Sequence, residues 1–214
     1  MNKHKQQIAP YHRPAIRRVA QHEVGHYVVA RALGFKTGSI TLTITDLVGG
    51  HRASSEIIPS CALEDIQAII DYLERRATVL YSGVLAESLS NGKLNNDSAL
   101  KSLRTGGGVR DYDKVRELIQ LIRNLKHPSS TTEVEIQNEL DLIDNDLWNR
   151  AAAIVEAEHL IVDGLGDRLA SEIKFVDETF TLGKEAIEAL PVIRDRFGNA
   201  DAPAAQHGAQ PRSL

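Results

Sequence analysis

The sequence predicts a mainly α-helical domain with a small β-hairpin. Over most of the 214 residues, apolar side chains recur every three or four positions, which is the period of an amphipathic helix. The stretch at residues 40–45 alternates apolar residues with threonines, as a half-buried strand does. With 42% hydrophobic and 25% charged residues, the chain has the composition of a globular domain that buries a core of ordinary size.

The composition argues against several classes of protein. The formal net charge is only −4, which does not suit an extended basic surface for nucleic acid. The single cysteine excludes an internal disulfide framework, and no run of about eighteen apolar residues predicts a transmembrane segment. The start, MNKHKQQIAPYHRP, lacks the apolar stretch of a secretory signal. We therefore expect a cytoplasmic protein without nucleic-acid partners.

Three regions are expected along the chain. Residues 1–13 mix lysine, histidine and glutamine with proline and show no apolar period, which predicts a flexible basic arm. Binding to nucleic acid or to a membrane surface is an alternative role for this basic region. Residues 14–196 carry the periods of the domain, and residues 197–214 have the composition of a disordered tail.

The first predicted elements are one helix and one hairpin. The helix runs from Pro14 to Leu33, because proline suits a first helical turn and a glycine follows the last apolar residue. The hairpin has strands over 38–45 and 51–58 that are joined at Gly49-Gly50. We expect it to be the only sheet, and its strand over 40–45 to offer a free edge to an extended peptide.

A long helix follows the hairpin, and a loop follows that helix. The helix is predicted over 63–89, since its apolar residues step by three and four, and Asn91-Gly92 suits its end. Residues 93–108 are polar and glycine-rich, which predicts a long loop with one short helix at 98–103. Loops of this length inside a compact domain are often functional.

The remaining periodic segments also predict helices. These helices are expected over 109–125, 133–175 and 183–190. Ser129 to Thr132 supply capping residues before the second of them, and Gly164 and Gly166 predict a break within it.

The first helix carries the pattern H-E-x-x-H. His22 and His26 lie four positions apart, so both rings project from one helix face and can reach a single metal ion. Glu23 lies beside them, where a carboxylate can act as general base on a water molecule. Gly25 costs a helix about 1 kcal/mol relative to alanine, which predicts that another segment approaches the backbone closely there.

A catalytic metal centre needs a third protein ligand. A histidine six positions after His26 would extend the motif, but that position is Ala32. The rival carboxylates are Glu87, Asp97, Asp111 and Asp113. The helix period directs Asp111 inward and Asp113 outward. Glu87 also points inward, as a ligand or as the acceptor for the second ring N–H of a ligating histidine.

Four segments, in order along the chain, carry a family resemblance: VAQHEVGHYVVARALG, SGVLAESLSNG, TGGGVRDYDKVREL and FTLGKEAIEAL. They resemble, in the same order, segments of the peptidase domain of the FtsH-type ATP-dependent zinc metalloproteases. Those segments are the active-site helix with its HEAGH motif, GRAAEELxFG, TGAxxDLxxAT and the closing ETLxGEEI. The resemblance covers residues 15–190.

The resemblance implies a zinc-dependent endopeptidase. On the matching positions, His22, His26 and Asp111 are the zinc ligands and Glu23 is the catalytic residue. Glu87 supports the centre without binding zinc. The expected cofactor is therefore Zn²⁺, and the expected substrate is an unfolded or flexible polypeptide.

The chain also departs from the family pattern. It has no G-x-x-x-x-G-K-[ST] phosphate loop, so we expect a peptidase without the ATPase module. A separate ATPase or unfoldase as a partner, and assembly into a homo-oligomer, are both compatible with the sequence. Val84 replaces an arginine, and Ser88 replaces an acid. The segment before Asp111 is longer than in the family, which keeps Asp97 as an alternative ligand. The alternative function is a catalytically inactive metal-binding regulatory or interaction module.

Overall fold

The structure is a computed structural model that describes residues 6–198, and it confirms the predicted mainly α-helical fold with a small sheet. The helices within this range are α1 (Arg13–Ala32), α2 (Ile66–Glu87), α3 (Asn96–Thr105), α4 (Val109–Lys126), α5 (Glu133–Ala157), α6 (His159–Glu172), α7 (Lys184–Glu188) and α8 (Pro191–Phe197). The strands are β1 (Lys36–Ile44), β2 (His51–Ile58), β3 (Leu89–Ser90), β4 (Lys93–Leu94) and β5 (Thr179–Leu182). The predicted disordered tail begins at residue 197, but Phe197 is the last residue of α8, and the part from residue 199 onward lies outside the described residues.

Helix α1 lies at the centre of the core. Its residues Ala20, Val24 and Val28 are completely buried, because α2 packs along one side of it and α6 along another. Gly166 of α6 permits this second contact, since a Cβ atom there would lie 2.8 Å from Cγ of Gln21. The helix that carries the H-E-x-x-H pattern is therefore enclosed by protein over most of its surface.

The predicted hairpin is part of a three-stranded antiparallel sheet with the order β2-β1-β5. Strand β1 is central, since Leu42 pairs with Ala53 of β2 and with Phe180 of β5. The prediction that residues 40–45 offer a free edge is therefore wrong, because β5 occupies that edge. Among the described residues, β2 pairs with β1 only.

A second, two-stranded sheet corrects the prediction of a single sheet. Strands β3 and β4 pair across Asn91 and Gly92, whose φ angles are 52° and 72°. Two consecutive residues with positive φ form the turn that best suits a two-residue hairpin. The Asn-Gly pair therefore forms a hairpin turn and does not end the helix as predicted, because α2 already ends at Glu87 and Ser88 caps it.

The predicted break near Gly164 and Gly166 is also wrong in position. Helix α5 ends at Ala157 and α6 begins at His159, so both glycines lie inside α6. Glu158 separates the two helices, and its carboxylate is buried in an ion pair with Arg196 of α8.

The predicted flexible arm differs from the structure at residues 6–13, whereas residues 1–5 lie outside the described range. Gln7 forms a bridge with Phe175, and Ile8 is 3% exposed. Arg13 begins α1 and donates hydrogen bonds to the carbonyl oxygens of Ala170 and Ile173, at 2.9 and 2.6 Å. These contacts attach the segment to the end of α6, so Arg13 is not available to an external polyanion.

Within residues 6–198, no helix has both the length and the apolar character that crossing a bilayer requires.

Candidate metal centre

Helices α1 and α2 meet through a glycine of α1. A Cβ atom on Gly25 would lie only 2.5 Å from both Cβ of Ala86 and the carbonyl oxygen of Ser82. The prediction of a close approach at Gly25 is confirmed, and the approaching segment is α2. The contact brings one face of α2 directly against the two histidines of α1.

Three predicted ligand atoms come together between α1 and α4. Nε2 of His22 lies 3.4 Å from Oδ2 of Asp111, and Nε2 of His26 lies 3.1 Å from the same oxygen. All three ligand atoms lie within 4.8 Å of one another. Ligands on a tetrahedral ion with bonds of about 2.0–2.1 Å are separated by about 3.3–3.4 Å, and the two nitrogen–oxygen distances are close to this value.

A second glycine, Gly83 of α2, makes room for the two rings. A Cβ atom at this position would lie 2.6 Å from Nε2 of His22 and 2.6 Å from Nε2 of His26. Only a glycine lets both ring nitrogens turn toward Asp111 at this point. A mid-helix glycine was also the signal that singled out Gly25, so the same reasoning could have found Gly83 from the sequence.

The other nitrogen of each ring has its own partner. Nδ1 of His26 lies 2.8 Å from the carbonyl oxygen of Val79, and Nδ1 of His22 lies 3.3 Å from Oε2 of Glu87. In the neutral form of each ring these acceptors favour the proton on Nδ1, so the Nε2 lone pair is directed toward Asp111 and can bind a metal ion that displaces the second proton. Glu87 contacts the ring nitrogen of His22 that is not directed toward Asp111.

The glycine-rich segment before α4 positions Asp111. Gly108 packs so closely on α2 that a Cβ atom there would lie 2.2 Å from Cγ1 of Val84. Asp111 follows in the first turn of α4, where the positive end of the helix dipole favours a carboxylate. Ser102 of α3 donates a hydrogen bond of 2.9 Å to Glu87, and α3 is therefore also tied to the centre.

The electrostatics of the centre suit a bound cation. Burial opposes protonation of His22, but hydrogen bonds with Asp111 and Glu87 outweigh it and raise the pKa of this ring to about 9. Burial likewise opposes ionisation of Asp111, yet the contacts with both histidines hold the pKa of its carboxyl well below the usual range. The pKa of Glu87 is also lowered, through His22 and Ser102, against the effect of burial. Two ionised carboxylates thus stabilise positive charge between them.

A cleft of about 550 Å³ opens over the three ligand atoms. Glu23 lines this cleft and is half-buried, next to the predicted ligands. Strand β2 lines the opposite side with residues 51–55 and Ile57. The hydroxyl of Ser55 donates a hydrogen bond to the backbone carbonyl of Glu23, which ties the edge strand to α1.

The alternative carboxylates lie elsewhere. Asp97 is exposed in the first turn of α3, and Asp113 is exposed on α4. Within the described part of the chain, the cluster of potential metal ligands consists of His22, His26 and Asp111. The geometry thus favours Asp111 over Asp97 as third ligand. Sequence reasoning missed the partners from distant segments, such as Ser102, because hydroxyl and carbonyl groups occur everywhere in a chain.

Comparison with known proteins adds no family assignment, since neither any protein-family model nor any curated protein matches the chain.

Proposed function

We propose that this protein is a zinc-dependent endopeptidase that hydrolyses unfolded or flexible polypeptides. The observation that carries the proposal is the convergence of two imidazole nitrogens and one carboxylate oxygen within 4.8 Å, with Glu23 in the same cleft. Two histidines and a carboxylate leave the fourth position of a tetrahedral ion open, as in catalytic zinc centres.

In this proposal His22, His26 and Asp111 hold the ion. A zinc ion bound there would lower the pKa of a water molecule to about 7 and polarise a peptide carbonyl. Glu23 accepts the proton of the attacking water and then returns it to the leaving amine. Glu87 and the carbonyl of Val79 keep the two rings in the orientation that ligation needs.

The edge strand β2 supports a polypeptide as the substrate. Its outer side lines the cleft, and among residues 6–198 its backbone pairs with β1 only. An extended peptide can therefore add to the sheet along β2, with recognition through main-chain hydrogen bonds. The hydrogen bond from Ser55 to Glu23 holds this strand beside the proposed general base.

The direct test compares wild type with Glu23→Gln. We expect wild type to cleave an unstructured protein such as casein and to carry about one zinc ion per chain. Glu23→Gln should bind as much zinc but lose cleavage, because it removes the proton acceptor and keeps all three ligands. Equal residual cleavage by the two proteins, with zinc bound to both, would favour the inactive metal-binding module instead.

A further inference from the structure

An arginine without an acidic partner lies at one end of the cleft. Arg76 of α2 precedes Val79 by three positions and Gly83 by seven, so it shares the helix face that contacts the two histidines. It lines the cleft together with Ile57 near the end of β2. Seven residues of helix correspond to about 10 Å, which is the distance along α2 from Arg76 to the metal ligands.

The guanidinium of Arg76 lacks a hydrogen-bond acceptor. Its Nη1 atom is buried without any partner, and no ion pair within residues 6–198 includes this residue. Its carbon Cζ lies 5.9 Å from the centroid of the Phe35 ring, which supports the cation without accepting a hydrogen bond. Arg76 lines the cleft and makes no hydrogen bond to residues 6–198, so a ligand in the cleft can supply an acceptor that the protein does not.

The adjacent arginine shows that contact with Phe35 does not by itself leave an arginine unpaired. Arg75 lies 5.2 Å from the same ring centroid. It also donates hydrogen bonds to the carbonyl oxygens of Asp71 and Leu33, each at 3.3 Å. Arg75 is thus satisfied within the protein, whereas Arg76 lines the cleft and has no acceptor among residues 6–198.

An anionic ligand is favoured by the cations that line the cleft. Four cations line it: Arg52, Arg76, Arg110 and Lys114. Among the described ion pairs, only Lys114 of these four has an acidic partner, Asp111 at 3.5 Å. Of the three lining acids, Asp111 and Glu87 are engaged with the histidines, and Glu23 is the proposed base. Three of the four lining cations thus have no acidic partner within the described residues, in a chain whose net charge is −4.

We propose that Arg76 binds the side-chain carboxylate of an aspartate or glutamate in the polypeptide substrate. The proposal rests on the endopeptidase function and makes acidic segments the preferred substrates. Guanidinium and carboxylate match in geometry and form charge-assisted hydrogen bonds. An extended peptide advances about 3.3 Å per residue, so the 10 Å along α2 put the acidic residue roughly two to four positions from the scissile bond.

The test uses matched peptides that differ only by Glu against Gln at each position around one cleavage site. Wild type should cleave the best acidic peptide with a kcat/KM roughly tenfold above that of its neutral counterpart, the effect of about one charge-assisted hydrogen bond. This ratio should fall to about one in Arg76→Gln and to an intermediate value in Arg76→Lys, which keeps the charge but not the planar fork. The matched control Arg75→Gln should keep the wild-type ratio.

A binding measurement separates this proposal from the endopeptidase function. Fluorescence anisotropy of the same peptides, labelled with a neutral dye, is recorded with Glu23→Gln and with Glu23→Gln carrying Arg76→Gln or Arg76→Lys. Tighter binding of acidic peptides that is lost with Arg76→Gln supports the site even if no peptide is ever cleaved. Cleavage without any acidic preference, or a preference that is equal in wild type, Arg76→Lys and Arg76→Gln, would overturn the proposal and leave the peptidase function intact.

Discussion

Each histidine of the candidate centre is oriented through the ring nitrogen that points away from the metal position. The backbone carbonyl of Val79 fixes His26, whereas the carboxylate of Glu87 fixes His22. A mutation can remove the side chain of Glu87 but not a backbone carbonyl, so the two rings differ in how easily they are disturbed. Gly83 completes the arrangement, because any larger residue would displace both rings.

The residue-scale prediction concerns the third ligand. Asp111→Asn should greatly weaken zinc retention, because it replaces the carboxylate shared by both imidazoles. Glu87→Gln should lower zinc affinity by about 10- to 100-fold, the usual effect of removing a partner of a ligating histidine. The measurement is zinc affinity by competition with a chelator.

Asp97→Asn is the matched control for this prediction, since Asp97 is an exposed aspartate that also lies in the first turn of a helix, α3. It should retain wild-type affinity. Equal zinc affinity in wild type and Asp111→Asn would contradict the assignment and return Glu87 or Asp97 to the ligand set.

At the scale of the elements, the centre depends on how closely α2 approaches α1. The contact at Gly25 places Gly83 against the two rings, and Gly108 brings the start of α4 onto the same helix. Three glycines in three elements therefore set the distances between the ligands. The close packing leaves no space for even one additional methyl group at these positions.

Gly25→Ala tests this packing. The added methyl group would meet the backbone of Ser82 and the side chain of Ala86, so we expect a loss of about 1–3 kcal/mol in the free energy of unfolding. Gly164→Ala is the control, because no atom lies within 4 Å of a Cβ there and the site is inside α6. It should gain about 0.5–1 kcal/mol. Denaturant unfolding that finds the two variants equally stable would refute the packing argument.

The elements that the sequence predicts well are those with a long local period. Helices α1, α2 and α4 repeat an apolar stripe over several turns, and the H-E-x-x-H spacing lies within one of them. Strand β5 has only four residues, Thr-Phe-Thr-Leu, so its alternation is too short to predict a strand without β1, which is distant in sequence. The pairing of Gln7 with Phe175 is likewise non-local, and the N-terminal segment was therefore expected to be flexible.

The candidate site divides in the same way. His22, Glu23 and His26 follow from spacing alone, whereas the helix period only directed Asp111 inward and left other carboxylates open. The exposure of Asp97 and the contacts of Asp111 depend on the tertiary structure, so the sequence alone does not predict them. Arg76 carried no signal in the sequence, because an unpaired guanidinium is recognised only when its surroundings are known.

At the scale of the whole molecule, the cleft lies between the helices and a sheet edge, and a bound chain must be extended to reach the centre. A peptide bond inside a folded domain cannot take this conformation without unfolding, which costs on the order of 5–15 kcal/mol. The 214 residues contain no phosphate-binding loop to couple nucleotide hydrolysis to unfolding. A separate ATPase or unfoldase partner would supply this energy.

We therefore expect the isolated chain to cleave casein but to leave a stably folded protein intact. Gel analysis of both substrates checks this, with the folded substrate also tested after denaturation. Cleavage of the native folded substrate at the rate of its denatured form would contradict this account of substrate access.

The central claim is that one zinc ion, held by His22, His26 and Asp111, makes this protein a peptidase. The most direct test is the rate of casein cleavage during titration of metal-depleted protein with zinc. The rate should be negligible without metal, rise in proportion to added zinc and reach its plateau at about one ion per chain. Cleavage that is undiminished in the metal-depleted protein, or still absent when each chain holds one zinc ion, would contradict the claim.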